Sequence, residues 1–465
     1  MNVRREDAGN PDPRDGSYSW GRQGKAAELR TEPGRSPASS GRTCRAEQDW
    51  QDACSERPAR EHGQPRAGLS ELGEFGELTA SPRRIVTCAM NASPRHAYVH
   101  VPFCRHRCGY CDFTLVAGRD DLIERYFAAV TAELRRVVQP LVLDTLYLGG
   151  GTPSHLGPAG LRRLFGLLHE RLRPAANAEV TVEANPLDVT AEFVAAARDC
   201  GVTRVSLGGQ SLDAATLRAL DRDHGPDDVR AATRRLLDAG LVVSLDLMTA
   251  APGQTLAGVE ADLAAAAAIG VQHVSVYCLT WEKGTAFESA RLRGELAPAE
   301  ESLERTMFET AIDRLEAAGF EHYEVSNFAR PGFRCRHNEA YWDCRPWEAF
   351  GPGAARFDGR TRITNHRSTT TWMNKVLAGE PASGDIDAMT DEQAARERIV
   401  VGLRRRDGID RGAFQATSGF MLDDLVGPAI ARWVEQGLAI DDGRHVSLTH
   451  AGLLVSDSLW ADVLV

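Results

Sequence analysis

The sequence predicts an α/β protein: a partial (βα)6 barrel followed by a C-terminal winged-helix-like α+β domain. Three observations lead there. From residue 95 onward, short β-rich runs alternate with segments of helical periodicity, the pattern of a parallel sheet with right-handed crossovers. The repetition stops near six units, short of the eight of a closed barrel. Each run also turns polar or glycine-rich at its C-terminal end, and barrels hold their ligands at the carboxyl ends of their strands.

The strand-like runs are "AYVHVPF" (97–103), "TLYLGGG" (145–151), "EVTVEAN" (179–185), "RVSLGGQ" (204–210), "VVSLDLMTA" (242–250) and "HVSVYCL" (273–279). Between them "LIERYFAAVTAELRRVV", "GLRRLFGLLHERL", "AEFVAAARDC", "VRAATRRLLDAG" and "TLAGVEADLAAAAAIG" carry apolar residues at helical spacing. Two of these end at Gly240 and Gly270, a common way to stop a helix. The barrel is expected over 93–375. Over 385–465, two helices, a short strand with a turn at Asp441–Gly443 and a closing helix resemble a winged helix. Its acidic stretches do not suit phosphates, so it reads as a lid or docking module rather than a DNA binder.

Residues 1–92 differ: rich in Arg, Gly, Pro and Ser, they lack the apolar surface that offsets ordering entropy. They are expected to be a disordered tail or an over-extended reading of the gene, with Met90 the true start. No role is given to Cys44, Cys54 and Cys88. The chain of 465 residues carries a net charge of −11, which argues against a nucleic-acid partner. It shows neither an apolar run of spanning length nor a signal-peptide core. The expected compartment is the cytoplasm, where the ten cysteines stay reduced. Cys200, Cys278 and Cys344 read as buried thiols.

The stretch "HVPFCRHRCGYCDF" (100–113) packs Cys104, Cys108 and Cys111 into a Cys-x3-Cys-x2-Cys loop after the first strand. Such a loop is short enough to wrap one corner of an iron–sulfur cluster, which thiolates hold, usually four of them. Three thiolates leave one iron open, as reactive metal centres do. The alternative is zinc held by the three cysteines with His100 or His106, but no second ligand knuckle lies nearby.

This loop resembles that of the radical S-adenosylmethionine (SAM) superfamily. The resemblance implies a [4Fe–4S] cluster on Cys104, Cys108 and Cys111. Its free iron would chelate the amino and carboxylate groups of SAM, whose one-electron cleavage gives a 5′-deoxyadenosyl radical. The match narrows further. "LYLGGGTPS", "VEANP", "RVSLGGQSL", "LDRDH", "DLMTAAPGQT", "YEVSNFARPGFRCRHNEAYW" and "FGPGAARF" follow in the order of the oxygen-independent coproporphyrinogen III oxidases and their heme-chaperone relatives. It covers about residues 95–465.

Carried over motif by motif, the resemblance implies SAM contacts from Tyr98, Tyr110, Gly150, Gly151, Thr152, Glu183, Gln210, Arg222 and Asp246. Physical readings stand beside it. Glycines 149–151 let a ligand approach bare backbone, and the guanidinium fork of Arg222 suits a carboxylate. Without the resemblance Arg222 reads as a solvated charge, Tyr98 as a buried strand aromatic and the glycines as a tight turn.

Within that group an enzyme and a binding protein diverge. The oxidases carry a fourth cysteine two residues after the third; here that position is Phe113. Their Tyr-rich N-terminal element is absent as well. The chain instead has "CRHNEAYW", and His337, Asn338, Tyr341 and Trp342 resemble the His-Asn-x-x-Tyr-Trp motif of the heme chaperones. A histidine can ligate heme iron and aromatics can cover a macrocycle; the bland reading of His337 is a satisfied core histidine. Cys335 is a candidate second ligand. The resemblance thus implies a heme chaperone, with a respiratory, membrane-associated protein as a candidate heme acceptor and a flavodoxin or ferredoxin as electron donor. The alternative is a porphyrinogen-decarboxylating oxidase. Departures from the shared pattern are Ala250 and Ala251 in "AAPGQT", Gly209 before "QS", and Thr249.

Overall fold

The structure, a computed structural model, describes residues 93–464. The expectations for residues 1–92, with Cys44, Cys54 and Cys88, lie outside them.

Six parallel strands stand side by side in chain order: β1 (His96–Val101), β2 (Leu141–Gly150), β3 (Leu172–Ala184), β4 (Arg204–Gln210), β5 (Val242–Thr249) and β6 (His273–Cys278). They match the six expected runs. The sheet extends past both ends. Beyond β6 lie β8 (Asn327–Ala329) and, outermost, β7 (Glu321–His322), both antiparallel to their neighbours. Beyond β1 lies β9 (Trp347–Phe350), parallel to it, then antiparallel β10 (Ala355–Phe357), β11 (Thr361–Asn365) and β12 (Ser383–Ala388). The twelve strands form one open sheet with β12 and β7 at its edges. The edge strands escaped the sequence reading because two to six residues, several of them Gly or Asp, show too little alternation to register.

Alternation along the six central strands sorts the side chains. Ala97, Val99 and Val101 of β1, Leu146 and Leu148 of β2, Val180 and Val182 of β3, Val205 and Leu207 of β4, Val243 and Leu245 of β5, and Val274 and Val276 of β6 join one apolar core. The main helices supply its other wall: α1 (Ile123–Leu134), α2 (Gly157–His169), α3 (Ala191–Asp199), α4 (Pro226–Asp238), α5 (Leu256–Ile269) and α6 (Glu301–Ala317). The intervening strand residues point the other way and are mostly polar. Successive side chains on a strand face opposite sides, so the barrel has an apolar outside and a polar inside. Parallel sheets usually read as continuous apolar runs; here one face lines a site.

Helix ends follow local rules. Thr190 and Thr255 cap α3 and α5 by accepting from Phe193 and Gly258 N–H. Gly240 and Gly270, at φ 75° and 92°, stop α4 and α5 as expected.

After the short helix α7 (Arg336–Trp342) and the edge strands, the last part builds a second apolar cluster around Ile399, Trp433 and Val446. It comprises α8 (Asp391–Leu403), β13 (Ile409–Asp410), α9 (Arg411–Ser418), α10 (Leu422–Glu435) and a hairpin of β14 (Ala439–Asp441) and β15 (His445–Leu448), closed by short helices. The hairpin turns at the expected Asp441–Gly443; β13 was not foreseen. Tyr277 of β6 packs against this cluster. Among the described residues no helix is long and apolar enough to cross a membrane.

A buried ion pair ties α8 to the sheet: Arg362 of β11 donates to Glu397, both nearly inaccessible to solvent. Asp387, 3.7 Å from Arg362, balances part of that charge, so removing Glu397 leaves a buried guanidinium under-compensated. Glu397→Ala is expected to lower the unfolding free energy by about 3 kcal/mol, read from urea denaturation.

Candidate functional site

The cysteine loop is clamped at both ends. Phe103–Cys104 pairs in parallel with Val116–Ala117, and Gly118 N–H donates to the Cys104 carbonyl at 3.1 Å. Inside the loop the Arg107 guanidinium donates to the carbonyls of Cys111 and Leu115, at 2.9 and 3.0 Å. Gly109 sits beneath the Phe287 ring, where a Cβ would come within 2.2 Å of a ring carbon. His100, the zinc alternative's ligand, is spent on structure: Nε2 meets the Thr114 carbonyl at 2.6 Å and Nδ1 the Tyr98 hydroxyl at 3.1 Å. His106 Nε2 lies 2.7 Å from the Asp221 carbonyl. Among the described residues no three His, Cys, Asp or Glu side chains converge on a single-ion site.

All three loop cysteines line one cavity of about 250 Å³ at the carboxyl ends of the strands. Cys104 Sγ lies 3.0 Å from Thr152 Oγ1, and Cys108 Sγ is 3.4 Å from an Arg222 nitrogen. Burial pushes the Cys104 thiol up to about 11, partly offset by Thr152, and the Cys111 thiol up to about 12. Metal binding to such thiols must release protons.

The structure brings most of the SAM residues implied by the resemblance to this cavity: Tyr110, Gly151, Thr152, Glu183, Gln210, Arg222 and Asp246. Glu183 is held from two sides, accepting from Gly150 N–H and from the Tyr147 hydroxyl, each at 2.9 Å. Gly150 needs its glycine: φ is 112°, and a Cβ would fall 2.5 Å from the His100 ring. Gln210 ends β4 at φ 62°, and Asp246 accepts from Ser206 at 3.1 Å. Burial opposes the Arg222 charge, but Tyr110 and Cys108 beside it keep the guanidinium firmly protonated. Its Nε is buried and, among the described residues, without a hydrogen-bond partner. Tyr98 and Gly150 are not part of the cavity wall. Ala250, at φ 61°, occupies a left-handed position that glycine adopts freely.

Other residues join the wall. Asn185 and Asp223 hydrogen bond at 3.2 Å across the mouth; Asn185 belongs to the polar strand ends that the sequence shows, whereas Asp223 was given no role. Cys278, expected to be a buried thiol, also borders the cavity. Tyr277 faces it while touching the C-terminal cluster, so that module lies beside the mouth.

The second motif sits elsewhere. His337, 1% exposed, opens α7 against the amino-terminal part of β2. Its Nδ1 is 2.7 Å from Thr145 Oγ1 and its Nε2 2.8 Å from the Tyr341 hydroxyl. Thr145 also lies 3.0 Å from His96 Nδ1. One hydroxyl has one proton to donate, so at least one imidazole must turn an N–H toward it. Tyr341 stands edge-on to His337 and to Trp347. Asn338 and Trp342 are buried, and Cys335 Sγ donates to Glu179 and Asn338. His337 thus has both ring nitrogens occupied, the satisfied state weighed as its bland reading.

Residues 98–266 match the model of the radical SAM superfamily, and residues 389–455 that of the HemN C-terminal domain. The heme chaperone HemW of Bacillus subtilis is 32% identical over 376 residues, covering 80% of this chain and 99% of that protein. The chain belongs to the HemW family. The heme chaperone HemW of Mycobacterium tuberculosis H37Rv is 36% identical over 386 residues, covering 81% of this chain and 96% of that protein. The structure of Escherichia coli coproporphyrinogen III oxidase (HemN), described as a radical SAM enzyme, superposes with a TM-score of 0.71 at 20% identity, covering 80% of this chain and 90% of that one. That likeness shows a shared fold.

For this HemW-family chain, soft thiol donors suit an iron–sulfur cluster. The orphaned Arg222 nitrogen and the anchored Glu183 carboxylate suit a ligand that carries both a carboxylate and an ammonium. The residues present therefore fit the cluster and SAM.

Burial lowers the pKa of His96, His100 and His322 to about 4 and of His337 to about 3. Unfolded histidine titrates near 6.5, so between pH 6.5 and 4 the unfolded chain binds protons that the folded chain refuses. Their contribution is fully present above pH 6.5 and is lost as pH falls toward 4. Urea melts are expected to show stability falling across that window, by up to about 1.4 kcal/mol per pH unit for each such histidine.

Proposed function

We propose that this protein is a heme chaperone that carries a [4Fe–4S] cluster and SAM and hands heme to an acceptor protein. The observation that carries the reading is its relation to proteins named heme chaperone HemW over nearly their whole length, at 32% and 36% identity. Phe113 supports it: this side chain stands at the cavity, 44% exposed, where the oxidases would have their fourth motif cysteine.

Cys104, Cys108 and Cys111 would hold the cluster, which supplies one-electron chemistry to SAM when bound. Glu183, fixed by Gly150 N–H, would receive the SAM ammonium, with Gly151 and Thr152 as the backbone floor. Arg222 would pair with the SAM carboxylate through its unused nitrogen. Tyr110, T-shaped against Phe287 at 6.0 Å, would border the adenine, and Gln210 and Asp246 would complete the wall. Tyr98 would act from behind it, through His100. A flavodoxin or ferredoxin would deliver the electron, and the free thiols suit the reducing cytoplasm.

Heme would be taken by His337, Asn338, Tyr341 and Trp342. His337 is neutral at physiological pH, as an iron ligand must be. Its two nitrogens are engaged, so ligation requires it to give up Thr145 or Tyr341, and α7 must open to admit a macrocycle.

The test is a heme titration of the anaerobically reconstituted protein, followed by absorbance. One heme per chain is expected, with a spectrum that His337→Ala weakens or alters. If no heme binds, the reading fails, and coproporphyrinogen III with SAM and a reductant tests the oxidase. In parallel, Cys104→Ala, Cys108→Ala and Cys111→Ala are each expected to lose most of the iron retained after reconstitution, read by iron assay.

A further inference from the structure

The two sites are joined by one side chain. Tyr147 lies midway along β2 and points into the barrel. Its hydroxyl donates to Glu183 Oε1 at 2.9 Å, and Glu183 is on the cavity wall. Its ring stacks on His337, with centroids 5.1 Å apart and planes at 26°. It also stacks on Tyr98, with centroids 6.1 Å apart. Gly149 makes the first contact possible: a Cβ there would fall 2.7 Å from Glu183 Oε1 and 2.9 Å from the Tyr147 ring. From Thr145, which holds His337, to Gly150, which holds Glu183, is five residues of strand, about 17 Å. Tyr147 covers the middle of that distance with a hydrogen bond at one end and a ring face at the other.

We propose that Tyr147 is a positioning residue that couples the Glu183 end of the cavity to His337, so that SAM and heme each alter the affinity for the other. This rests on the heme-chaperone reading above. An ammonium arriving at Glu183 draws on the carboxylate that accepts the Tyr147 hydroxyl and weakens that hydrogen bond. With that bond weakened the ring tilts within its stack between Tyr98 and His337, and His337 loses part of the face that holds it closed toward Thr145 and Tyr341. SAM therefore favours the state in which His337 can turn to iron, and by linkage heme favours SAM by the same factor.

The experiment measures heme Kd with and without saturating SAM, and SAM Kd with and without heme, on reconstituted wild type, Tyr147→Phe and Tyr147→Leu. Tyr147→Phe keeps the ring over His337 and removes only the hydroxyl. SAM is expected to tighten heme binding to wild type by about 5- to 10-fold, and heme to tighten SAM equally. In Tyr147→Phe both ratios are expected to fall below about twofold, while the heme spectrum still responds to His337→Ala. Tyr147→Leu, which also removes the ring, is expected to lose the ratios in the same way and serves should the first variant not fold. Wild-type ratios retained in Tyr147→Phe overturn the coupling and leave the heme reading standing. So do wild-type ratios of one in protein that binds both ligands. A wild type that takes no heme overturns the reading and the coupling together.

Discussion

Everything in this molecule depends on the pleat of six parallel strands. Each strand gives alternate residues to an apolar shell under the helices and the residues between them to the barrel interior. Because neighbouring strands are paired in register, the inward residues form rows. His96 stands beside Thr145, and Thr145 beside Glu179; Tyr98 beside Tyr147, and Tyr147 beside Thr181. A slip of one residue would send every one of these polar groups into the helices. The apolar shell thus fixes the polar interior.

The interior has two ends of different character. At the carboxyl ends the strands stop in glycines and polar residues, and the cysteine loop folds over them, leaving a cavity. At the amino ends α7 closes the barrel with His337, and Thr145, Tyr341 and Glu179 take up its ring and backbone polar groups. Buried polar groups cost stability unless paired, which explains why both ring nitrogens and the backbone N–H of His337 are hydrogen-bonded. Burial keeps its histidines neutral.

The likeness to HemN is one of architecture: a TM-score of 0.71 at 20% identity. What separates the two readings of function is a few side chains mounted on that common frame. Phe113 is the main one, since a frame that positions three thiols can lose or gain a fourth without disturbing the sheet.

Much of this was legible in the residues. The six runs, the helices between them, the stops at Gly240 and Gly270 and the cysteine loop are local features. Local propensity, periodicity and spacing decide them. The convergence of Glu183, Gln210 and Asp246 on one mouth followed because parallel strands share a direction. The distance between the two motifs was not legible. His337 lies far along the chain from the cysteines, and nothing in the spacing says at which end of the barrel α7 would dock. Nor could the sequence show that His100, a candidate metal ligand, is bound to Tyr98 and Thr114, or that Tyr147 touches both Glu183 and His337. The sequence by itself determined the strands, the helices and the set of reactive side chains, because each depends on neighbours a few residues away. Only the tertiary structure decided which of them meet, because those contacts join residues up to about two hundred positions apart, and packing of the apolar shell, not propensity, brings them together.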